Sequence, residues 1–192
     1  TCLSQLYLEH LRGNKVGYAK YETFPIWNLP LNHMVNLAYE AATADLNDVN
    51  MIDPWHLSAY GKLAVNYNRD VEIFPVLNAI FEKIMGKSPY KSPTDMGVNM
   101  AGYAISDDSI CVEAAKQEII RRYLKALANE RRNDLEPTES DKIDLIMKGN
   151  NVDLTDRKVY TEANRVSEER GLPAAAIELE DGTVITGKTG DL

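Results

Sequence analysis

The sequence predicts an α-rich α+β fold, and three observations carry that prediction. Apolar residues recur at helical spacing through most of the chain, as in Ile73, Leu77, Ile80, Phe81 and Ile84. Glycines follow these stretches as stop signals, at Gly13, Gly61, Gly86, Gly149 and Gly171. Strand-like sequence is confined to residues 16–24 and to the closing AAAIELEDGTVITG, where Asp181-Gly182 joins two β-prone runs as a hairpin.

The elements follow in order. Residues 1–12 read as a helix with Leu3, Leu6, Tyr7 and Leu11 on one face. Residues 16–24 alternate as a strand. Pro25 and Pro30 then forbid regular structure through FPIWNLPLN, where Trp27 needs a packed surface. Residues 33–46 read as one alanine-rich helix. Asp53-Pro54 opens the next, with Asp as N-cap and Pro at the first helical position. Residues 70–85 form a third, with Pro75 expected in its first turn. Residues 109–131 are the longest helix, and 133–136 the best linker. Residues 138–148 and 155–170 are two shorter helices, each opened by a Thr cap.

Composition narrows the function. The 192 residues carry a net charge of −8 with no stripe of Lys and Arg, so nucleic acid is excluded as a partner. No apolar run approaches the roughly 20 residues of a membrane span, so no membrane partner is expected. The only cysteines, Cys2 and Cys111, are far apart; a disulfide framework is not indicated, and a reducing cytoplasm is the expected location. Thr1 opens directly in helical pattern, which reads as part of a longer protein.

Charge is unevenly spread. Residues 1–105 hold 8 basic and 10 acidic side chains, against 13 and 19 in the shorter remainder. The quiet part contains all three histidines and nine asparagines between Asn28 and Asn99. Neutral donors and acceptors of this kind suit recognition of a polar small molecule, and they equally serve as turn and cap residues. The candidate site is therefore placed in residues 21–70 together with 90–103. Asp45, Asp48, Asp53 and His56 are its candidate acid–base residues. Asn66, Asn68, Arg69, Lys91, Thr94 and Asn99 are its candidate substrate-binding residues. Arg69 beside a helix start can hold an anion, or it can pair with Asp70 or Glu72 while Asn68 or Asp70 caps the helix.

Sharper motifs fail on context. Residues 182–189 satisfy the G-x-x-x-x-G-K-[ST] pattern, but the intervening residues belong to a hairpin strand, which cannot wrap a phosphate. His33, His56, Glu40, Asp45, Asp48 and Asp53 lack zinc-motif spacing, so zinc is disfavoured and no metal ligand is assigned. No G-x-S-x-G occurs, and Cys111 has no basic neighbour in sequence to activate it.

Four segments carry a resemblance covering nearly the whole chain: residues 22–57, VNYNRDVEIFPVL, YKSPTDMGVNMAGYAI and PAAAIELEDGTVITGKT. They resemble the bacterial family called domain of unknown function 1846, whose activity is not established and whose members are about twice this length. The resemblance implies that residues 1–7 follow a glycine-rich Gly-Lys loop at the end of an α/β, Rossmann-like domain. It leaves ATP or another nucleotide open as a cofactor of the full-length protein. Some members are labelled ATP-dependent zinc proteases, but this chain has no H-E-x-x-H. The closing hairpin is similar to that opening cytidine-deaminase-like folds, but the H-x-E…P-C-x-x-C signature is missing.

The expected division is residues 1–24 as the end of a nucleotide-type domain, 25–132 as a mainly helical middle domain with the site, and 133–192 as a C-terminal α/β unit. Two functions stay open. One is an enzyme domain binding a polar small molecule, nucleotide-dependent in the full-length protein. The other is a non-catalytic binding or assembly module, with a second copy of the chain as a partner.

Overall fold

The computed structural model describes residues 1–20 and 23–189. Its chain divides into two compact units, Thr1–Ala115 and Lys116–Leu192. Helices dominate both, and two small antiparallel sheets complete an α-rich α+β protein.

In the first unit, α1 (Cys2–Leu11) is capped by the Thr1 hydroxyl, which accepts from the Ser4 N–H. Leu6 of α1 is buried with Phe74 and Phe81 of α4 (Asn68–Met85) and with Met96; Leu3, Val16, Tyr18, Leu77 and Tyr90 pack around them. The strand expected over residues 16–24 is not formed by residues 16–20, 23 and 24. At Tyr18, the phenol of Tyr90 accepts from the backbone N–H and donates to the carbonyl, so one side chain takes the place of a strand partner. Tyr21 and Glu22, also in that expected strand, lie outside the described residues.

The helix expected over residues 33–46 is shorter. His33 is the N-cap of α2 (Met34–Ala42), its Nδ1 accepting from Val35 N–H at 3.2 Å. Thr43 ends it by turning its hydroxyl back onto the Tyr39 and Glu40 carbonyls, a competition that β-hydroxyl residues offer to helix bonding. A separate 3₁₀ turn, Ala44–Leu46, follows.

Two strands absent from the sequence reading come next. β1 (Asn50–Ile52) pairs antiparallel with β2 (Val65–Tyr67), with Met51 opposite Asn66. Between them in sequence lies α3 (Pro54–Tyr60), opened by Asp53 and closed by Gly61 in the left-handed region, as expected. α4 begins directly after β2, so neither Asn68 nor Asp70 is its cap. That position is Tyr67, which makes no side-chain cap bond. Pro75 stands inside α4 rather than in its first turn. Its missing N–H would have bonded the Val71 carbonyl, and the Trp55 indole Nε1–H donates to that carbonyl instead, at 3.4 Å.

α5 (Asp108–Asn133) continues from the first unit into the second. The second unit adds α6 (Thr138–Gly149), α7 (Lys158–Arg170), β3 (Ala174–Glu178) and β4 (Val184–Lys188). The expected Thr caps are not made. Pro137 precedes α6, and the Glu130 carboxylate accepts instead from the Glu139 and Ser140 N–H groups at 3.1 and 3.0 Å and from the Ser140 hydroxyl at 2.5 Å. Thr155 sits in a 3₁₀ turn opened by a capping box from Asp153. The hairpin forms as expected, with Gly182 at φ +81° and α7 packed on both strands. No helix is long and apolar enough, among the described residues, to cross a membrane.

Candidate functional site

Asp53 stands between β1 and α3 as the N-cap of α3, and its two carboxylate oxygens divide the work. Oδ1 accepts from the Trp55 and His56 N–H groups, each at 3.0 Å, as an N-cap does. Oδ2 accepts from the Thr94 hydroxyl at 2.5 Å, the Thr94 N–H at 3.2 Å and the Asn66 amide at 3.4 Å. No part of Asp53 reaches solvent. Among the described residues this buried carboxylate has five N–H and O–H donors and no cation, so dipoles hold it, and it ties α3, β2 and the 3₁₀ turn Pro93–Met96 together.

From Asp53 the network runs outward. Asn66 Nδ2 donates to Thr94 Oγ1 at 2.8 Å, and Asn66 Oδ1 accepts from Lys20 Nζ at 3.0 Å. Lys20 also donates to Asp70 Oδ2 at 2.8 Å. Its side chain is 11% exposed, so an ammonium ion is kept at the inner wall of a cleft. That cleft has a volume of about 480 Å³. Lys20, Arg69, Asp70 and Glu72 supply its charges, and Tyr18, Ile73, Leu77, Pro93 and Met96 its apolar walls.

The other proposed residues fall around this centre. His56 is buried, with Nδ1 at 3.1 Å from the hydroxyl of fully buried Ser92 and its ring beside Trp27 and Tyr60. Asp48 is paired with Arg69 at 2.7 Å; the carboxylate is buried while the guanidinium is 63% exposed. Burial pushes the Asp48 carboxyl above its ordinary range, Arg69 opposes that, and Asp70 and Asp45 add to it. Asp45 enters only through this charge effect. Asn68 is spent on the backbone, accepting from Val49 N–H at 2.9 Å, and Asn99 likewise accepts from Ala101 N–H. Lys91 reaches over the Tyr60 ring at 5.6 Å, and its N–H donates to Asp95.

The fold therefore brings Asp53, His56, Asn66 and Thr94 into one buried cluster, with Arg69 at the cleft beside it. Asp45, Asp48, Asn68, Lys91 and Asn99 lie outside that cluster's hydrogen bonds. Sequence reasoning missed Lys20, placed Ser92 only within the stretch 90–103, and read Asp70 as a helix cap or a partner of Arg69. For Lys20 a signal existed: it is a single cation in a tyrosine-rich stretch otherwise poor in charge. Nearby, Glu40 accepts from Asn50 N–H at 2.9 Å, and burial raises its carboxyl. The Tyr67 phenol is pushed up to about 12, chiefly by burial. No three His, Cys, Asp or Glu side chains gather closely enough, among the described residues, to hold a metal ion.

Comparison with known proteins agrees along the whole chain. The family model "Domain of unknown function DUF1846, N-terminal" matches residues 1–151, and its C-terminal counterpart matches residues 155–192. The UPF0371 protein cu0538 of Corynebacterium urealyticum is 62% identical over all 192 residues, and the UPF0371 protein SUB1165 of Streptococcus uberis is 59% identical over the same span. In both cases the chain spans 39% of the relative's length. The chain belongs to the bacterial family of domain of unknown function 1846, to which no specific activity is attached.

Proposed function

We propose that the first unit is the ligand-binding part of an enzyme and takes a polar small molecule bearing an anionic group into the cleft beside Lys20 and Arg69. The observation that carries this reading is the Lys20 ammonium at the cleft wall, positioned by Asn66 and Asp70. Holding a cation nearly out of water is costly, and its being held at an opening rather than in the core supports a binding role. Arg69 adds a planar fork at the same opening. Asp53, Thr94 and His56 act behind them by fixing Asn66 and the 3₁₀ turn.

In the same reading, residues 1–24 close a Rossmann-like nucleotide domain of the full-length protein, and 25–132 form the middle domain. Residues 133–192 open an α/β unit of cytidine-deaminase-like topology. A nucleotide then serves the intact protein, and the reaction is cytoplasmic.

The test is a thermal-shift screen against nucleotides, sugar phosphates, amino acids and divalent metals, on the wild-type chain and on Lys20→Met and Arg69→Ala variants. A ligand at about 100 times its dissociation constant adds about 2.7 kcal/mol and moves the midpoint by several degrees. The reading expects an anionic class to give such a shift, lost in both variants. A shift that both variants retain, or none with any class, overturns it. One observation favours a second reading, a non-catalytic assembly module: every bond of Asp53 is turned inward to structure.

A further inference from the structure

Resting on the cleft as the ligand site, we infer that its ligand is amphoteric. The class is an α-amino acid with a large apolar side chain, its carboxylate on Lys20 and Arg69 and its ammonium on Glu72. The cations of the cleft are already neutralised, Lys20 by Asp70 at 2.8 Å and Arg69 by Asp48 at 2.7 Å. Glu72 lines the same cleft, and among the described residues it has neither an ion pair nor a hydrogen bond. Two cations therefore stand against three carboxylates. A ligand that is only an anion meets net negative charge there. One that adds an ammonium matches both signs.

Among the described residues, the unused hydrogen-bonding groups make the same selection. An ammonium offers three N–H donors, and Lys20 directs two of them to Asn66 and Asp70, leaving the third. Arg69 commits Nη2 to Asp48 and is 63% exposed, so Nε and Nη1 are left for a carboxylate. Asp70 accepts from Lys20 on Oδ2, which leaves its Oδ1 beside the whole Glu72 carboxylate for an ammonium. Arg69 and Glu72 stand three residues apart on α4, so their Cβ atoms are about 5–6 Å from one another. That spacing suits the neighbouring carboxylate and ammonium of one α-carbon. Ile73 and Leu77 continue the row along α4, and with Tyr18 and Met96 they wall the cleft with apolar surface for a side chain. The Lys20 N–H donates to the Met96 carbonyl at 2.7 Å, which fixes the charged wall against the apolar one. The cleft's volume of about 480 Å³ lies within the roughly 300–1,000 Å³ of small-molecule sites.

The experiment is isothermal titration calorimetry of the 192-residue chain with L-phenylalanine and L-leucine. Their counterparts without the amine, 3-phenylpropionate and 4-methylpentanoate, are titrated beside them. Glu72→Gln and Lys20→Met variants are compared with the wild type; Glu72 is exposed on α4, so its substitution leaves the fold intact. The expected result is that at least one amino acid binds tenfold or more tighter than its amine-free counterpart. Glu72→Gln erases that preference and leaves the counterpart's affinity unchanged, whereas Lys20→Met weakens both. Equal affinity for the two members of each pair, or a preference that survives Glu72→Gln, overturns the amphoteric ligand. An anion that binds the wild type and Glu72→Gln alike and is lost in Lys20→Met overturns it too, and leaves the anion-binding cleft standing. No binding by any of these probes, nor by nucleotides or sugar phosphates, overturns both.

Discussion

The Thr94 hydroxyl donates to the Asp53 carboxylate at 2.5 Å across 41 residues of sequence, inside a region from which water is excluded. This bond joins the start of α3 to the 3₁₀ turn at the cleft. Its members are linked tightly enough that stability, more than surface chemistry, registers their loss.

Asp53→Ala removes a cap and strands buried donors of Thr94 and Asn66. A lost cap costs about 0.5–2 kcal/mol, and each unsatisfied buried group about 1–3. The expected loss is about 3 kcal/mol. Thr94→Val, which keeps shape, is expected to cost about 1–3 kcal/mol. Because both act on one network, the double variant costs less than the sum. Urea unfolding of the three variants checks this.

Arg69→Ala leaves the buried Asp48 carboxylate without its partner. Breaking a fully buried pair costs about 3–5 kcal/mol. The guanidinium is 63% exposed, so solvent takes over part of its role, and about 1–2 kcal/mol is expected. Asp48→Asn in the Arg69→Ala background recovers part of the loss, since the orphaned charge is gone. Equilibrium unfolding of the pair and both single variants measures the coupling.

Glu40 and Glu130 respond to acid with opposite signs. Burial raises the Glu40 carboxyl in the folded first unit. Its proton is therefore bound more readily when folded, so the stability linked to it is full below the unfolded value and lost as pH rises through the folded one. Glu40→Gln is expected to stabilise the first unit at pH 7, with the advantage vanishing as pH falls towards about 4.5. Glu130 of the second unit is the reverse. Burial pushes its carboxyl up, but the Ser140 hydroxyl and the Ser140 and Glu139 N–H groups outweigh that and hold it low. Its contribution is present above the unfolded value and lost as pH falls through the folded one. Glu130→Gln therefore costs most at neutral pH, and urea midpoints from pH 3 to pH 8 separate the two signs.

Pro75→Ala returns an N–H to the inside of α4. A proline within a helix costs about 3 kcal/mol where nothing compensates, but here the Trp55 indole already serves the Val71 carbonyl. A gain of about 1 kcal/mol is expected, smaller than the full value. Thermal unfolding, read against Trp55→Phe with and without the proline, shows whether the indole bond is the reason.

Where local chemistry decides an element, it was legible. Asp53-Pro54 with Gly61 placed α3, Gly86 closed α4, and Asp181-Gly182 placed the hairpin. Three-residue strands such as Asn50–Ile52 have too little length for periodicity, and they exist because β2 and α3 are folded back on them. The stretch at residues 16–20 has strand composition, but Tyr90 claims its backbone from 72 residues away. In the site, Asp53, Asn66 and Thr94 could be named as polar residues in a quiet region. Lys20 could not be joined to them, because the contact with Asn66 spans 46 residues. Arg69, read from sequence either as an anion holder or as a partner of its helix neighbours Asp70 or Glu72, meets Asp48, which the β1–β2 pairing brings near.

Both tryptophans of the chain, Trp27 and Trp55, belong to the first unit, and the second contains none. Trp27 lies beside His56 and Tyr103, and Trp55 against Phe74 with its indole N–H on Val71. Tryptophan emission, excited selectively, is thus a label-free optical reporter of one half of the molecule, while helical circular dichroism sums over both. A chain that melts in two stages will show two dichroic transitions and a single fluorescence one, and the fluorescent stage identifies the half that carries the cleft.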